Sequence, residues 1–469
     1  MTVRRLLPVS GQTRLSGETR HGVAPHRGRR LSAAAVALVA PLILSACGDS
    51  WLGGDTKPPL PGNRISVLQH ENSLKPTQGG GPVEIRLPAP EPNEDWPQAG
   101  GYSHHSMQHM EIGAAPREDW TTSVGTGNAK RSAVMAEPVV GEGRVYAVDA
   151  QGRATALDAK RGSTLWSVDL APDDEDDNAI IGGGIAYDDG RVFVTTAYAE
   201  VVALDAATGK EQWRQKVTAP VRAAPTINGG RVFVATLDNK GLALAADDGR
   251  ILWTYSGNEE GATVLAAAAP AVDNGVVVFP FSSGEVVALR VDTGAPLWND
   301  SIIAARRTDA TGTLASIAAR PVIDNNRLFV IGHSGLMVGI DMRTGDRSWD
   351  LELSGLSQPW IAGDYLFAVS VDAQLVAVDA RNGKILWVTA LPLWQDDEDK
   401  TGRILWTGPV LASDRLIVTG SHGEAMSVDP YTGKVIGRMD MPDGINLPPA
   451  IAGKALYFLS NNGDIVSLR

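Results

Sequence analysis

The chain has 469 residues, a formal net charge of -12 and a single cysteine. An acidic surface repels phosphates, so a nucleic-acid partner is not expected. One cysteine excludes an intrachain disulfide and a structural zinc site of the usual cysteine type.

Residues 1–46 have the layout of a secretory signal. Arg27-Gly-Arg-Arg30 is a positive patch, and Leu31 to Ala46 is an apolar run rich in Ala and Leu. The run is too short to span a bilayer comfortably. The stretch ahead of it is long for a positive leader and points to a translation start nearer Val23. The run ends in Leu44-Ser-Ala-Cys47, which resembles the lipobox of bacterial lipoproteins. That resemblance implies cleavage before Cys47 and lipidation of its thiol. Each buried CH₂ contributes about 0.8 kcal/mol, so several acyl chains anchor a protein stably. Gly48 follows the cysteine and Asp49 stands one place later, which favours the outer membrane over retention at the inner one.

Residues 47–94 read as a lipidated flexible linker. Lys57-Pro-Pro-Leu-Pro-Gly62, Gly79-Gly-Gly-Pro82 and Pro88-Ala-Pro-Glu-Pro92 disfavour regular structure. Arg64-Ile-Ser-Val-Leu68 and Val83-Glu-Ile-Arg-Leu87 are apolar pieces suited to lie on the folded body or a partner. Asp95-Trp-Pro-Gln-Ala-Gly-Gly101 opens a folded region expected over residues 95–469. His104, His105 and His109 follow closely; three imidazoles suit a metal, but no carboxylate is interleaved and a covering loop explains them equally well. No metal site and no cofactor are expected.

From here the chain repeats itself. Ala156-Leu-Asp-Ala-Lys-Arg-Gly-Ser-Thr-Leu-Trp166 returns as Ala203 to Trp213 and as Ala377 to Trp387, with weaker copies between and after. The Asp slot falls at Asp158, Asp205, Ala245, Arg290, Asp341, Asp379, Asp429 and Arg469, a period of about 45 residues. Before Asp, apolar and small residues alternate as in a half-buried strand. Asp with Gly four places on makes a tight turn, and the Trp segment is the return strand. An upstream hairpin and a short entry strand bring the count to four strands per repeat, the blade of a β-propeller. Gly437 stands where the seventh copy should have Trp, and the last copy ends at Arg469. Trp120 begins a Trp strand with no blade before it. We therefore expect an all-β, eight-bladed propeller of four-stranded antiparallel blades, its ring closed by pairing of N- and C-terminal strands. The repeat Trp residues are expected to lock neighbouring blades together.

The Ala-x-Asp-x-x-x-Gly-x-x-x-Trp pattern resembles the PQQ-type propeller repeat. Together with the lipobox, Leu60-Pro-Gly-Asn-Arg-Ile-Ser-Val67 and Trp96-Pro-Gln-Ala-Gly-Gly101, it resembles the BamB family of the outer-membrane β-barrel assembly (Bam) machinery, alphaproteobacterial type. The resemblance covers Cys47 to Arg469. It implies a non-enzymatic scaffold at the periplasmic face of the outer membrane. Its implied partners are the POTRA domains of BamA, other Bam subunits and unfolded outer-membrane proteins.

In that family two interblade loops carry the BamA contact; here they match Asn258 to Ala268 and Ser301 to Ala319. The apolar-Arg pair falls near Val264 and Leu265, so the Arg is missing. The acids fall near Ser316 and Ala318 and are missing too, leaving Arg306, Arg307 and Asp309 as substitutes. Two alternatives remain. A PQQ-dependent dehydrogenase fits poorly, since no cysteine pair and no Cys-x-x-Cys-His exist. A sugar- or peptidoglycan-binding propeller needs exposed aromatics, for which Trp360, Trp394 and Trp406 are candidates, with Trp360 and Trp406 expected in entry strands. The acidic runs 173–177 and 396–399 read as solvated loop tips.

Overall fold

Each repeat folds into one antiparallel sheet, and the sheets stand round a ring. The computed structural model describes residues 74–77, 84–172, 182–258, 268–303 and 317–469. Eight four-stranded sheets form, seven from consecutive strands. They span residues 139–169, 183–216, 226–256, 271–301, 322–351, 360–390, 406–440 and 450–468, called blades 1 to 8. Blade 8 lacks a strand of its own. Glu118–Ser123 fills the place, antiparallel to Asp464–Leu468, with Thr121 opposite Val466. The first strands of neighbouring blades touch from blade 8 through blade 1 and on round to blade 7, so these strands line the central channel. The expected propeller and its closure by both ends of the chain are therefore what forms.

Two turns recur. The first-to-second strand turn needs positive φ at both central residues, as a two-residue type I′ hairpin does. Asn274-Gly275, Gly229-Gly230 and Asn325-Asn326 supply it at +46° and +78°, +56° and +70°, and +48° and +64°. The third-to-fourth strand turn is the Asp-to-Gly element. Asp158 Oδ1 accepts from the N–H groups of Lys160 and Arg161, and Gly162 N–H donates back to Asp158 O. Blades 3 and 4 carry Ala245 and Arg290 instead of Asp. Their turns survive because Gly249 and Gly294 still donate to those backbone carbonyls at 2.9 Å.

That turn exists to meet a tryptophan. Trp120, Trp166, Trp213, Trp253, Trp298, Trp349 and Trp387 each donate their indole N–H to the residue after the Asp slot of the next blade, at 2.8–3.3 Å. The ring lies on the turn Gly. At the seven glycines facing them, Gly162 to Gly433, φ is +67° to +77° and a Cβ would come within 2.6–2.7 Å of the indole. Glycine is thus required twice, by dihedral and by contact. Gly437 leaves one position without its lock. It lies between blades 7 and 8, where the strand 464–468 is not joined to its outer neighbour by any such turn.

The inner strands pose a different problem. Each has one paired edge, and the other faces the channel. Buried backbone groups there need partners. Residues 93–113 supply them as a strap running once round the ring, beside the first-to-second strand turns. Asn93 O accepts from Gly453 N (2.8 Å) in blade 8. Trp96 exchanges both backbone bonds with Val140 in blade 1, and Pro97 O accepts from Tyr187 N in blade 2. The Gln98 side-chain amide exchanges both bonds with Ile227 in blade 3. Ser103 O and His104 O accept from Val272 N and Ile323 N in blades 4 and 5. Gln108 O accepts from Trp360 Nε1 in blade 6, and Met110 bonds Leu411 O and Ser413 N in blade 7. Gly113 N then returns to Lys454 O in blade 8. Val140, Tyr187, Ile227, Val272, Ile323 and Leu411 occupy one register position, the next-to-last residue of the inner strand.

Under the strap the channel holds a buried polar network. Arg320 pairs with Glu137 at 2.6 Å and donates from Nε to Gln358 Oε1 at 2.7 Å. Glu137 also accepts from Gly100 N, and Gln358 Nε2 donates to His105 O. Each charge is paired and hydrogen-bonded, as burial demands. His105 is 2% exposed. Its Nδ1–H donates to Pro321 O at 2.7 Å. Burial, helped by the Arg320 charge, lowers its pKa from 6.5 to about 3.

Three outcomes follow for stability. Trp387→Phe keeps a ring but strips Pro430 O of its donor, and should lower unfolding free energy by about 1 kcal/mol in urea titration. Gly383→Ala forces a Cβ at φ +71° against Trp349. It should cost roughly 2–4 kcal/mol, and roughly 1–2 kcal/mol in a Trp349→Ala background where only backbone strain remains. His105 binds a proton below its unfolded pKa of 6.5 only when the chain unfolds, so its contribution is intact above pH 6.5 and is lost progressively as pH falls toward 3. Between pH 7 and 5.5 the stability advantage of the wild type over His105→Asn should shrink by about 1.3 kcal/mol. An unchanged difference means His105 is not held neutral.

Candidate partner-binding face

Antiparallel alternation puts the strap and the Asp-to-Gly turns on one face of the ring. The second-to-third strand turns and the interblade connections lie on the other. The strap occupies the first face, so variable loops are presented by the second, where recognition tends to sit.

Every partner-binding residue expected from sequence, Val264, Leu265, Arg306, Arg307, Asp309 and Ser316, lies outside the described residues, and so does Cys47. What the structure gives is the stems of the two loops. The first departs at Asn258. Its carbonyl accepts from Asn239 Nδ2 (2.6 Å) and its N–H donates to Glu285 Oε2 (3.1 Å), which ties the stem to blades 3 and 4. Asn239 Oδ1 accepts from Ser282 N and Oγ, linking the same blades again. The second loop departs after Ser301. Arg347 of blade 5 grips Asp300 through Nε and Nη2 at 2.6 and 2.8 Å and donates to Ser301 O. Ile302 is buried, its carbonyl bonded by Ser334 Oγ at 3.0 Å, while Ile303 is exposed. At the far end Ile317, Ala318 and Ala319 are buried. Ala318, matched by sequence to an acidic contact position, is thus core.

Asn239, Glu285, Arg347 and Ser334 were not singled out by sequence reasoning. Asn239 lies outside the Asp–Trp grammar and has φ +55°, a second-to-third strand turn signal that was legible in principle. Arg347 reads in sequence as an ordinary strand charge. Only the ring brings it to Asp300 in the preceding blade.

The other candidates have structural duties. His109 donates from Nδ1 to Pro88 O (2.7 Å) and accepts at Nε2 from Asp414 N (2.9 Å). His104 Nδ1 accepts from Ser106 N. These bonds draw the imidazoles to separate strap contacts, and among the described residues no group of three or more metal-ligating side chains forms. Trp360 is buried, stacked on Trp96 at 6.2 Å. Trp406 is buried, with its N–H on Pro392 O. Trp394 is half-buried in a small hairpin, Trp394–Asp396 with Thr401–Arg403, between blades 6 and 7. The acidic run in that hairpin is exposed, and Asp396 Oδ1 accepts from the N–H groups of Glu398 and Asp399. The run 173–177 lies outside the described residues.

Comparison with known proteins sets this ring in context. BamB of Escherichia coli K12 is 26% identical over 357 residues, covering 75% of this chain and 88% of that protein. BamB of Yersinia pestis is 24% identical over 356 residues, with the same coverage. Among solved structures, BamB from Moraxella catarrhalis superposes with a TM-score of 0.65 at 22% identity, over 76% of this chain and all of that one. The quinohemoprotein alcohol dehydrogenase of Comamonas testosteroni reaches 0.61 at 14% identity over 80% of each chain, which shows a shared fold alone. The model of the family described as outer membrane protein assembly factor BamB matches residues 117–179 and 150–389, more than half of the chain. With the repeat grammar and the eight-bladed ring behind that match, the chain belongs to the BamB family.

Proposed function

We propose that this protein is a non-enzymatic scaffold lipoprotein of the outer-membrane β-barrel assembly complex. The observation that carries the reading is the family match across 117–389. Residues 1–46 are its signal, Cys47 its lipid anchor at the periplasmic face of the outer membrane, and the stretch that follows a tether. The propeller docks on the POTRA domains of the BamA barrel through the loops 259–267 and 304–316, helping outer-membrane proteins fold and insert. The geometry supports this. Both loops rise from stems fixed by cross-blade hydrogen bonds, which limits the ordering cost on binding. The strap and its buried polar network fill the channel at the opposite face with pairings internal to the chain.

Titration of purified POTRA domains against the propeller tests the contact. Leu265→Asp and the double change of Arg306 and Arg307 to Glu should each weaken binding by roughly 1–3 kcal/mol, with thermal unfolding unchanged. If neither alters affinity, the two loops are not the interface. Cys47→Ser should release the protein from the membrane fraction on envelope fractionation; retention there would remove the anchor assignment.

A further inference from the structure

Part of the stretch read from sequence as a linker lies on the propeller. Leu74 and Thr77 sit against the outer side of blade 6. Leu74 N donates to Gln374 Oε1 at 3.4 Å, and the Leu74 side chain packs on the apolar cluster shared by blades 5 and 6. Thr77 N donates to Ile385 O at 3.0 Å, and Ile385 N donates to Thr77 Oγ1 at 3.1 Å. Ile385 is 6% exposed as a result. The other seven blades show what this contact changes. At the same register, just after the turn, their outer strands have Glu118, Thr164, Glu211, Ile251, Pro296, Arg347 and Val435, and all seven are exposed.

The chain is then held on the same blade a second time. Tyr365 Oη donates to Glu84 O at 3.2 Å, Ile85 is buried in the large apolar cluster that includes Tyr365, and Leu87 packs against that cluster. Both attachments are to blade 6, and the first fixes where the chain leaves the folded body. Only 26 residues separate Cys47 from Leu74. A chain of that length and composition has a root-mean-square span of about 28 Å. A compact body of roughly 400 residues has a radius of gyration of about 21 Å. The span of the tether is therefore close to one radius of the body it holds, so the flank at its root stays nearest the anchor. Blade 2 stands opposite blade 6 in the ring of eight, a full body width further away.

We infer that the contact of Leu74–Thr77 with blade 6 is a clip that sets the exit of the tether and turns the flank of blade 6 toward the lipid surface. The inference rests on the reading of Cys47 as the lipid anchor. It puts the anchored flank next to the candidate loops, because blade 6 follows directly on the blade 4 to blade 5 connection and blade 5. A partner embedded in the same membrane would meet flank and loops on one side of the ring.

Energy transfer to the bilayer tests this orientation. The lipidated full chain is placed in vesicles of phosphatidylethanolamine and phosphatidylglycerol whose headgroups carry an acceptor dye. Ala390→Cys and Lys216→Cys put a donor dye at exposed positions of equal register in blades 6 and 2, opposite Gln374 and Glu200. The Cys47 thiol is blocked in the lipidated form, so each variant offers one site for the dye. Transfer from position 390 should exceed that from position 216 at least about twofold. A Gly-Ser insert of about 40 residues after Asn72 lengthens the span to about 45 Å and should bring the two to within about 1.3-fold of each other. Leu74→Asp combined with Thr77→Pro should cut the ratio by at least about a third and speed exchange of the Ile385 amide at least about tenfold, with the melting temperature within a few degrees of the parent. Equal transfer from the two positions in the parent chain, or a ratio that loss of the clip leaves unchanged, would overturn the inference. Dye uptake by the chain without an added cysteine, or failure of that chain to stay with the vesicles, would instead remove the anchor reading, and the inference with it.

Discussion

A sheet four strands wide has two raw edges, and a ring of eight such sheets has sixteen. Disposing of them is the constraint behind this structure. Unpaired strand edges cost free energy when buried and invite aggregation when exposed. The inner edges are buried, and residues 93–113 satisfy them in one circuit. A regular strand cannot follow so tight a curve while meeting each blade at the same register. Side chains therefore substitute for backbone. Gln98 mimics a peptide unit for Ile227, and Gln108 Oε1 accepts from Gly363 N. The unusual composition of the strap, rich in Gln, Ser, His and Gly, follows from that geometry.

The outer edges face water, and five of the eight open with a charge, with proline, or under the chain's own Leu74–Thr77 stretch. Between the two edges the blades hold each other through indoles. Each Trp spends its N–H on a carbonyl of the next blade and its ring face on a glycine there, so the lock is directional round the ring. The ring is joined between blades 7 and 8 without a lock because Asp464–Leu468 meets Glu118–Ser123 by hydrogen bonding across separate parts of the chain. A tryptophan at 437 would have no turn glycine to lie on. The substitution and the chain's closure are thus two sides of one event.

The fold leaves its variable loops on the face away from the strap, and there the cross-blade stems matter. Asn239 to Asn258 and Arg347 to Asp300 convert long interblade connections into loops with fixed roots. The architecture shared with a quinohemoprotein alcohol dehydrogenase is the fold alone, and the channel of this ring is filled from within the chain. Here Arg320, Glu137, Gln358 and His105 occupy it as a closed set of pairings with the strap.

The repeat was legible because its turn chemistry is local. Asp, Gly and Trp at fixed spacing specify turn, dihedral and return strand within a dozen residues, and counting copies gives the blade number. Trp120 without a blade, and a last copy without its Trp strand, made the closure readable as well. The family resemblance needed, beside the repeats, the lipobox and the stretches 60–67 and 96–101, and the family model then matched 117–389. What sequence alone left open is all non-local. That His105 serves Pro321 O and His109 serves Asp414 N depends on blades more than 200 residues away, whereas His104 bonds Ser106 N two residues on. Ala318 looked like a loop position and is core, because burial is set by the neighbouring blade rather than by its own neighbours in sequence. Likewise Ile385 and Val435 share one register and similar chemistry, yet one is covered and the other bare. The difference is a segment some 300 residues upstream, and only the closed ring decides where that segment comes to lie.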